Sequence, residues 1–354
     1  MKISAYCSLS IAKKTDPIPI QHVNGKQVSI VGKAKYLGDI FNTGGNYKDL
    51  IEERVRKATV CTVNSIALCS DSQMGKYAIT SLILLYKTVF LKTVLFNSQT
   101  WNNLTKNDLS KLVSAQNKYL KWILHTPRGT CTSFTLLELG LLPITEEISQ
   151  EKLSFLHHIL TLPPDDPVQI AYEEQKMYSG EPNWYNEICS LMKSYGLEMN
   201  DQKIQNMSKD KWKEETSSAI RKTVFESLVA DCLSKSKTSK LPRYPCYSQQ
   251  DYFVNLPPKK ARMYFQLRAG VYDFKCNRKY MYNDEICRLC NSGEESTDHV
   301  INHCDKINRK IGSFGCIYST SDNETIELLN RVEQFKTLLD KKGDASTQQL
   351  EFEQ

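Results

Sequence analysis

The segment Cys287-Arg288-Leu289-Cys290-Asn291-Ser292-Gly293-Glu294-Glu295-Ser296-Thr297-Asp298-His299-Val300-Ile301-Asn302-His303-Cys304 has the spacing Cys-x2-Cys-x8-His-x4-Cys. Two thiols three positions apart reach one ion from a single tight turn, and a following imidazole and thiol complete a tetrahedron. Three thiolates and one imidazole leave no coordination position open. The pattern therefore predicts a small module folded around a structural zinc ion held by Cys287, Cys290, His299 and Cys304. With 12 cysteines in the chain, a lone Cys-x2-Cys arises by chance, but a His and a Cys completing the set in the same segment do so far less readily. His303 is the rival nitrogen ligand. It abuts Cys304, and adjacent side chains seldom converge on one ion.

Immediately upstream the chain is basic. Between Lys235 and Tyr280 stand eleven basic residues (Lys235, Lys237, Lys240, Arg243, Lys259, Lys260, Arg262, Arg268, Lys275, Arg278, Lys279), opposed only by Asp251 and Asp273, which leaves nine net positive charges against +6 for the whole chain. Tyr244, Tyr247, Tyr252, Phe253, Tyr264 and Phe265 are interleaved with them. Cations for phosphates and rings for bases suit RNA or DNA as a partner. A solvated helical surface would have much the same composition.

Further from the module, the 354 residues are 40% hydrophobic and 24% charged, an ordinary globular composition with room for a sizeable core. The start, Met1-Lys2-Ile3 followed by Ser, Cys and then Lys13-Lys14, has no sustained apolar run. An intracellular chain (nucleus or cytoplasm) with reduced thiols is expected rather than a secreted one. Ser81 to Phe96 is apolar but short and interrupted by Lys87 and Lys92, so it reads as a buried helix and no membrane partner is expected.

The fold class expected is mainly α, with a short N-terminal β-hairpin. Ile18 to Val31 alternates around Asn24-Gly25, a two-residue hairpin signal, and Lys35-Tyr36-Leu37-Gly38 follows. Helices are expected over about Tyr47–Cys69 and Lys76–Phe96. Thr105 and Asp108 form a capping box that opens another, stopped by Pro127-Arg128-Gly129. The next runs from Glu146-Glu147 to about Leu162. Shorter helices follow over Gln169–Met177 and Asn183–Tyr195, then longer ones over Lys209–Ser234, Lys259–Val271 and Asn323–Leu339, the last before a polar tail expected to be disordered. The organisation read from this is 1–46 hairpin region, 47–162 helical bundle, 163–280 basic helical connector, 281–312 zinc module and 313–354 helix with tail.

No Gly-rich phosphate loop is present, and Gly44-Gly45 reads as a turn. His157 and His158 are adjacent on a helix and point about 100° apart, too far to act as a pair; one is expected in the core and one at its rim. Asp165-Asp166 lies between prolines in a loop and reads as a helix cap. No catalytic residues are predicted.

Taken in order, several phrases resemble the C-terminal half of non-LTR (LINE-like) retrotransposon reverse transcriptases. They are the hairpin with Val23-Asn24-Gly25, then Tyr36-Leu37-Gly38, Ala115-Gln116-Asn117-Lys118-Tyr119-Leu120, Pro127-Arg128-Gly129, Leu137-Glu138-Leu139-Gly140-Leu141-Leu142-Pro143, Phe265-Gln266-Leu267-Arg268 and the Cys-Cys-His-Cys module. The resemblance spans about residues 18–310. It implies that 1–46 is the end of a palm domain with a primer-grip-like Tyr36-Leu37-Gly38, that 47–162 is thumb-like, and that the remainder is post-polymerase region.

The family is an RNA-directed DNA polymerase, but its catalytic Asp residues, including a Tyr/Phe-x-Asp-Asp turn, would lie upstream of Met1. The expectation is a truncated reverse-transcriptase-like protein that binds nucleic acid through Tyr36, Leu37, Gly38, Lys259, Lys260, Arg262, Arg268, Lys275, Arg278 and Lys279. It would not polymerise alone, and Mg²⁺ would enter only if another chain, such as an upstream reverse-transcriptase portion, supplied the palm. Two other readings are a stand-alone zinc-dependent nucleic-acid-binding module and a structural or protein-interaction remnant.

Overall fold

Among the described residues, two short antiparallel hairpins precede a mainly helical chain. The computed structural model describes residues 22–23, 26–27, 31–69, 74–178, 182–239, 247–307 and 322–352. Helix accounts for 65% and strand for 4%, so the expected mainly α class with a small N-terminal β element is what the chain forms. β1 (His22–Val23) pairs with β2 (Lys26–Gln27), Val23 opposite Lys26. The Asn24-Gly25 turn expected between them, and the strand residues expected at 18–21 and 28–30, lie outside the described residues.

β3 (Lys33–Tyr36) pairs with β4 (Asp39–Asn42), Tyr36 opposite Asp39. Leu37 and Gly38 are thus a two-residue turn, both at positive φ (46° and 95°), as a tight hairpin requires. A leucine there is strained, and the turn is fastened from one side. Arg54 of α1 (Lys48–Leu68) donates to Gly38 O (3.3 Å) and to Asp39 Oδ1 (2.6 Å), and lies over the Phe96 ring.

An almost unbroken helical run follows: a 3₁₀ turn (Gly75–Tyr77), α2 (Ala78–Leu85), a π turn (Tyr86–Phe90) and α3 (Leu91–Val94). Among the described residues, Gly75–Val94 is the one stretch long and apolar enough to cross a membrane. It nevertheless carries Lys76, Lys87 and Lys92 and buries Ile79, Tyr86, Phe90 and Val94 completely inside protein. Tyr77, Leu84 and Val89 of the same stretch stay exposed, so the helix is half-buried where a buried one was expected.

α4 (Lys106–Ile123) opens on the expected capping box: the Asp108 amide donates to Thr105 Oγ1 (3.1 Å) and the Thr105 amide to Asp108 Oδ2 (3.3 Å). α5 (Thr132–Leu139) was not expected. α6 (Ile144–Leu160), α7 (Pro167–Met177), α8 (Trp184–Ser194), α9 (Asp201–Gln205), α10 (Lys209–Leu233), α11 (Tyr252–Asn255), α12 (Pro258–Arg268) and α13 (Asp322–Phe352) complete the order. Asp166 caps α7 by accepting from the Val168 amide (2.8 Å) with Pro167 in the first turn, so the acidic doublet is a cap as read. His157 is buried against Met207 O (2.9 Å) while His158 is exposed. α13 continues to Phe352 where a disordered tail was expected. Lys341, Lys342, Ala345, Gln348, Gln349, Leu350 and Glu351 are good helix formers and outnumber the poor ones, Gly343, Asp344 and Thr347.

The chain divides into two compact units, each gathered from three stretches: residues up to Leu68 with Leu84–Tyr119 and Leu142–Thr223, and Cys69–Ile83 with Leu120–Leu141 and Val224 onward. Boundaries drawn in chain order, such as those at 47, 163 and 281, do not describe this division. In the first unit Tyr86, Phe90 and Tyr119 form an aromatic cluster with ring centroids 5.0–5.4 Å apart. Beside it Gln116, 1% exposed, donates to Tyr86 OH (2.6 Å) and Leu142 O (2.8 Å) and accepts from the Ile144 amide (3.0 Å). α6 begins after Pro143, which offers no side-chain cap, and Gln116 takes that role from a distance.

In the second unit Glu138, wholly buried, receives Arg268 through two bonds (3.1 and 2.8 Å) and Tyr252 OH (2.7 Å). Phe134 and Phe253 pack on Phe265. A Cβ on Gly140 would fall 2.4 Å from the Gln249 nitrogen, so the loop at 248–249 lies against the helix end only because position 140 has no side chain.

Candidate metal centre

The second unit carries the Cys-Cys-His-Cys segment. Backbone geometry at its first half makes a knuckle: the Cys287 amide donates to Gly293 O (3.0 Å), the Asn291 amide to Cys287 O (3.0 Å), and Ile286 bridges Glu294 antiparallel. Asn291 and Gly293 take the positive φ values (57° and 73°) that bend the chain back. Cys287 and Cys290 thereby face one point. The second half is a single π turn, His299–His303, in which the Cys304 amide donates to His299 O (2.8 Å). The wide turn brings His299 and Cys304, five positions apart, to the same side; isolated π turns of this kind recur at functional sites. Ser296 Oγ accepts from the His299 amide (3.2 Å) and caps it.

The donor atoms of Cys287, Cys290, His299 and Cys304 all lie within 4.8 Å of one another. A zinc tetrahedron with sulfur and nitrogen donors has edges of about 3.5–3.8 Å, so small side-chain movements close the four on one ion. His299 Nε2 stands 3.2 Å from Cys290 Sγ, so Nε2 is the nitrogen placed to ligate an ion. Its Nδ1 faces the backbone of Gly293, where a Cβ would be 2.9 Å away. His303 is exposed and pairs with Asp298 (3.3 Å); of the two histidines, His299 belongs to the cluster.

The thiols are unequal. Burial opposes ionisation of Cys290, but the Ser292 hydroxyl and amide, the Cys287 thiol and His299 outweigh it and hold the group at about 6. Burial raises Cys287, and pushes Cys304 up to about 12. Two thiols resist ionising while a third ionises readily, and a divalent cation at their centre would supply the missing stabilisation for all three thiolates. The donor set fits zinc, with every position taken by protein and none left for substrate or water.

A layer around the knuckle was missed by sequence reading. Glu295, wholly buried, accepts from the Arg288 amide (2.9 Å), the Arg288 guanidinium and the Lys275 amide (3.1 Å). It thus ties segment 275–276 to the knuckle. Arg288 also donates to Asp273 O (3.1 Å) and lies over Tyr282. The one signal in the sequence was an Arg seven residues ahead of a Glu inside the metal spacing, which has no meaning until the knuckle folds. Below the π turn Val300 and Ile301 are buried, Arg331 of α13 donates to Ile301 O (2.6 Å), and Phe335 meets Phe274 edge to face. A cleft of about 700 Å³ opens beside the knuckle, lined by Tyr272, Arg288, Phe335, Lys336 and Asp340 among others.

The residues expected to meet nucleic acid are not equivalent. Arg262 (5% exposed) donates to Ile123 O (2.8 Å), and Arg268 (4% exposed) is spent on Glu138 between the rings of Tyr252 and Tyr264. Both are internal, which corrects their expected role: an amphipathic basic helix, α12, turns two of its cations inward because buried acceptors wait for them. Lys275 pairs with Asp284 (2.7 Å), Arg278 with Asp273 (3.4 Å), and Lys260 with Asn330 (2.9 Å) and Glu333 (3.7 Å). Lys259 and Lys279 keep exposed side chains, Lys279 paired with Glu285 (2.6 Å) and Lys259 more loosely with Glu333 (3.9 Å). The local excess of positive charge is thus largely met by acids from other parts of the chain. In the first unit Tyr36 and Leu37 are exposed (67% and 77%) at the tip of the β3–β4 turn, with Gly38 beneath them.

Compared with known proteins, the chain matches no family model, no curated protein and no solved structure.

Proposed function

We propose that this chain is a zinc-stabilised nucleic-acid-binding protein. It corresponds to the end-of-palm, thumb and post-polymerase region of a non-LTR-type reverse transcriptase and does not polymerise by itself. The gathering of Cys287, Cys290, His299 and Cys304 within 4.8 Å carries the reading, because their spacing is the most specific of the resembling phrases. The other phrases support it by being joints of the fold rather than surface decoration. Gln116 holds the Leu142-Pro143-Ile144 corner, and Glu138 holds Arg268.

The role of the ion here is structural. Polymerisation by two metal ions needs clustered carboxylates. The sequence has no Tyr/Phe-x-Asp-Asp, and Asp166 is occupied as a cap. Contact with nucleic acid is assigned to Lys259, Lys279, the Tyr36-Leu37 tip and the cleft with Tyr272, Arg288 and Lys336, which offers a ring beside two cations. The test is binding of a single-stranded RNA and a DNA duplex at several salt concentrations. A log–log slope of several released ions, reduced in Lys259→Ala/Lys279→Ala, supports the reading, and a flat response contradicts it. Primer extension on a primed RNA template by the chain alone would contradict the absence of polymerase chemistry.

The internal use of Arg262 and Arg268 favours a second reading, an interaction protein whose helices bind another protein. Nucleic-acid affinity unaffected by Lys259→Ala/Lys279→Ala would favour it.

A further inference from the structure

Away from the metal centre, a second pair of cysteines meets in the second unit. Cys131 stands at the N-cap of α5 and is partly exposed. Cys232, on the last turn of α10, is wholly buried, and its thiol donates to Cys131. Lys235 Nζ lies 3.6 Å from Cys131 Sγ. The lysine is held in place by an ion pair with Asp231, which in turn accepts from Ser133 Oγ (2.6 Å). Lys121, with its ammonium on Arg128 O (2.6 Å), also faces the thiol.

We infer that Cys131 and Cys232 are a redox site: Cys131 is the thiol attacked by a peroxide, and Cys232 resolves the product into an intramolecular disulfide. The site owes nothing to the zinc or nucleic-acid reading, since no metal ligand takes part. Cys131 has the environment of a reactive thiolate on two separate counts. It has a lysine ammonium at contact distance, and it accepts a hydrogen bond from a neighbouring thiol. These interactions hold its thiol well down, to about 5, with the Cys232 hydrogen bond the largest cause and burial opposing it. The same contact, together with burial, pushes the Cys232 thiol upward. The pair is therefore polarised into one nucleophile that solvent reaches and one protonated partner that it does not.

The chemistry balances without a further reactant. The Cys131 thiolate attacks one oxygen of hydrogen peroxide, the O–O bond breaks, and Cys131 sulfenic acid forms as hydroxide leaves. The Cys232 sulfur then attacks the sulfenic sulfur, its proton leaves with the departing oxygen as water, and the S–S bond forms. Two thiols lose two electrons and the peroxide gains two. A small dithiol reverses the step by thiol–disulfide exchange. The bond would tie the start of α5 to the end of α10.

The test uses the reduced, zinc-loaded full chain treated with a few equivalents of hydrogen peroxide at pH 7, quenched by alkylation and digested with trypsin. A cross-link between the peptides 129–152 and 223–235, two mass units lighter than their sum and removed by dithiothreitol, is expected before any oxidation of Cys61 or Cys189. In Cys232→Ser the sulfenic acid has no resolving thiol and is expected to be trapped on Cys131 by dimedone. In Lys235→Gln the oxidation rate is expected to fall several-fold. Oxidation of Cys131 no faster than of Cys61 overturns the inference, as does Cys131 sulfinic acid without the cross-link. Absence of a dimedone adduct in Cys232→Ser, or an unchanged rate in Lys235→Gln, does the same.

Discussion

Gly293 and His299 are built against each other: a single carbon added at position 293 would sit 2.9 Å from the imidazole Nδ1. The glycine does two things here. Its φ of 73° bends the knuckle, and its missing side chain sets the plane of the ring that points Nε2 at Cys290. Nothing in the metal spacing marks this residue, yet the ring orientation depends on it.

Gly293→Ala should therefore weaken zinc binding without removing a ligand. The loss expected is that of a group orienting a ligand, about 10–100-fold in affinity, read by chelator competition against the wild-type chain. Affinity unchanged within twofold would mean that the imidazole is positioned by other contacts.

Glu138 and Arg268 form a wholly buried ion pair, and removing one member should cost far more than removing both. Arg268→Met alone should destabilise the second unit by about 3–5 kcal/mol, and the double variant Glu138→Leu/Arg268→Met should recover most of that loss. Urea unfolding of the four proteins measures the difference. Equal stability of single and double variants would contradict the account.

Much of this was legible in advance, and the boundary is physical. The capping box at Thr105 and Asp108, the cap at Asp166 and the metal spacing could be read because each is local: the partners lie within a few residues. What could not be read were partnerships made by folding. Arg262 and Arg268 look like solvent cations until Ile123 O and Glu138 arrive from more than a hundred residues away. α5 is only eight residues long, and six of those are buried, with almost no polar face to give a helical period. The division into two units, each assembled from three stretches, is made by contacts between segments far apart in the chain.

Gln116 caps the start of α6 from outside the helix, so Gln116→Leu should strand a buried amide at Ile144 and a buried carbonyl at Leu142. A destabilisation of about 2–4 kcal/mol is expected, measured by urea unfolding. A loss below 1 kcal/mol would show that water or a shifted corner replaces the amide.

Glu147 near the start of α6 is raised to about 7, chiefly by burial and next by Glu151, against the opposing charges of Arg221, Lys92 and Lys87. The folded chain then binds a proton more tightly than the unfolded chain. Stability is greatest below the ordinary carboxylate range and declines as pH rises toward 7, levelling above it. Glu147→Gln should remove this decline, leaving the variant more stable than wild type at pH 8 by about 1–3 kcal/mol and little different at pH 4. Parallel stability–pH curves for the two proteins would contradict the assignment.

The central claim is that Cys287, Cys290, His299 and Cys304 hold one structural zinc ion. Its most direct measurement is the metal content of the purified, fully reduced chain beside Cys290→Ser, His299→Ala and His303→Ala. The account predicts one zinc per chain in wild type and in His303→Ala. It predicts loss of the metal in Cys290→Ser and His299→Ala, together with the amide protection around residues 285–304. Wild-type protein free of zinc, or zinc retained in His299→Ala and lost in His303→Ala, would contradict it.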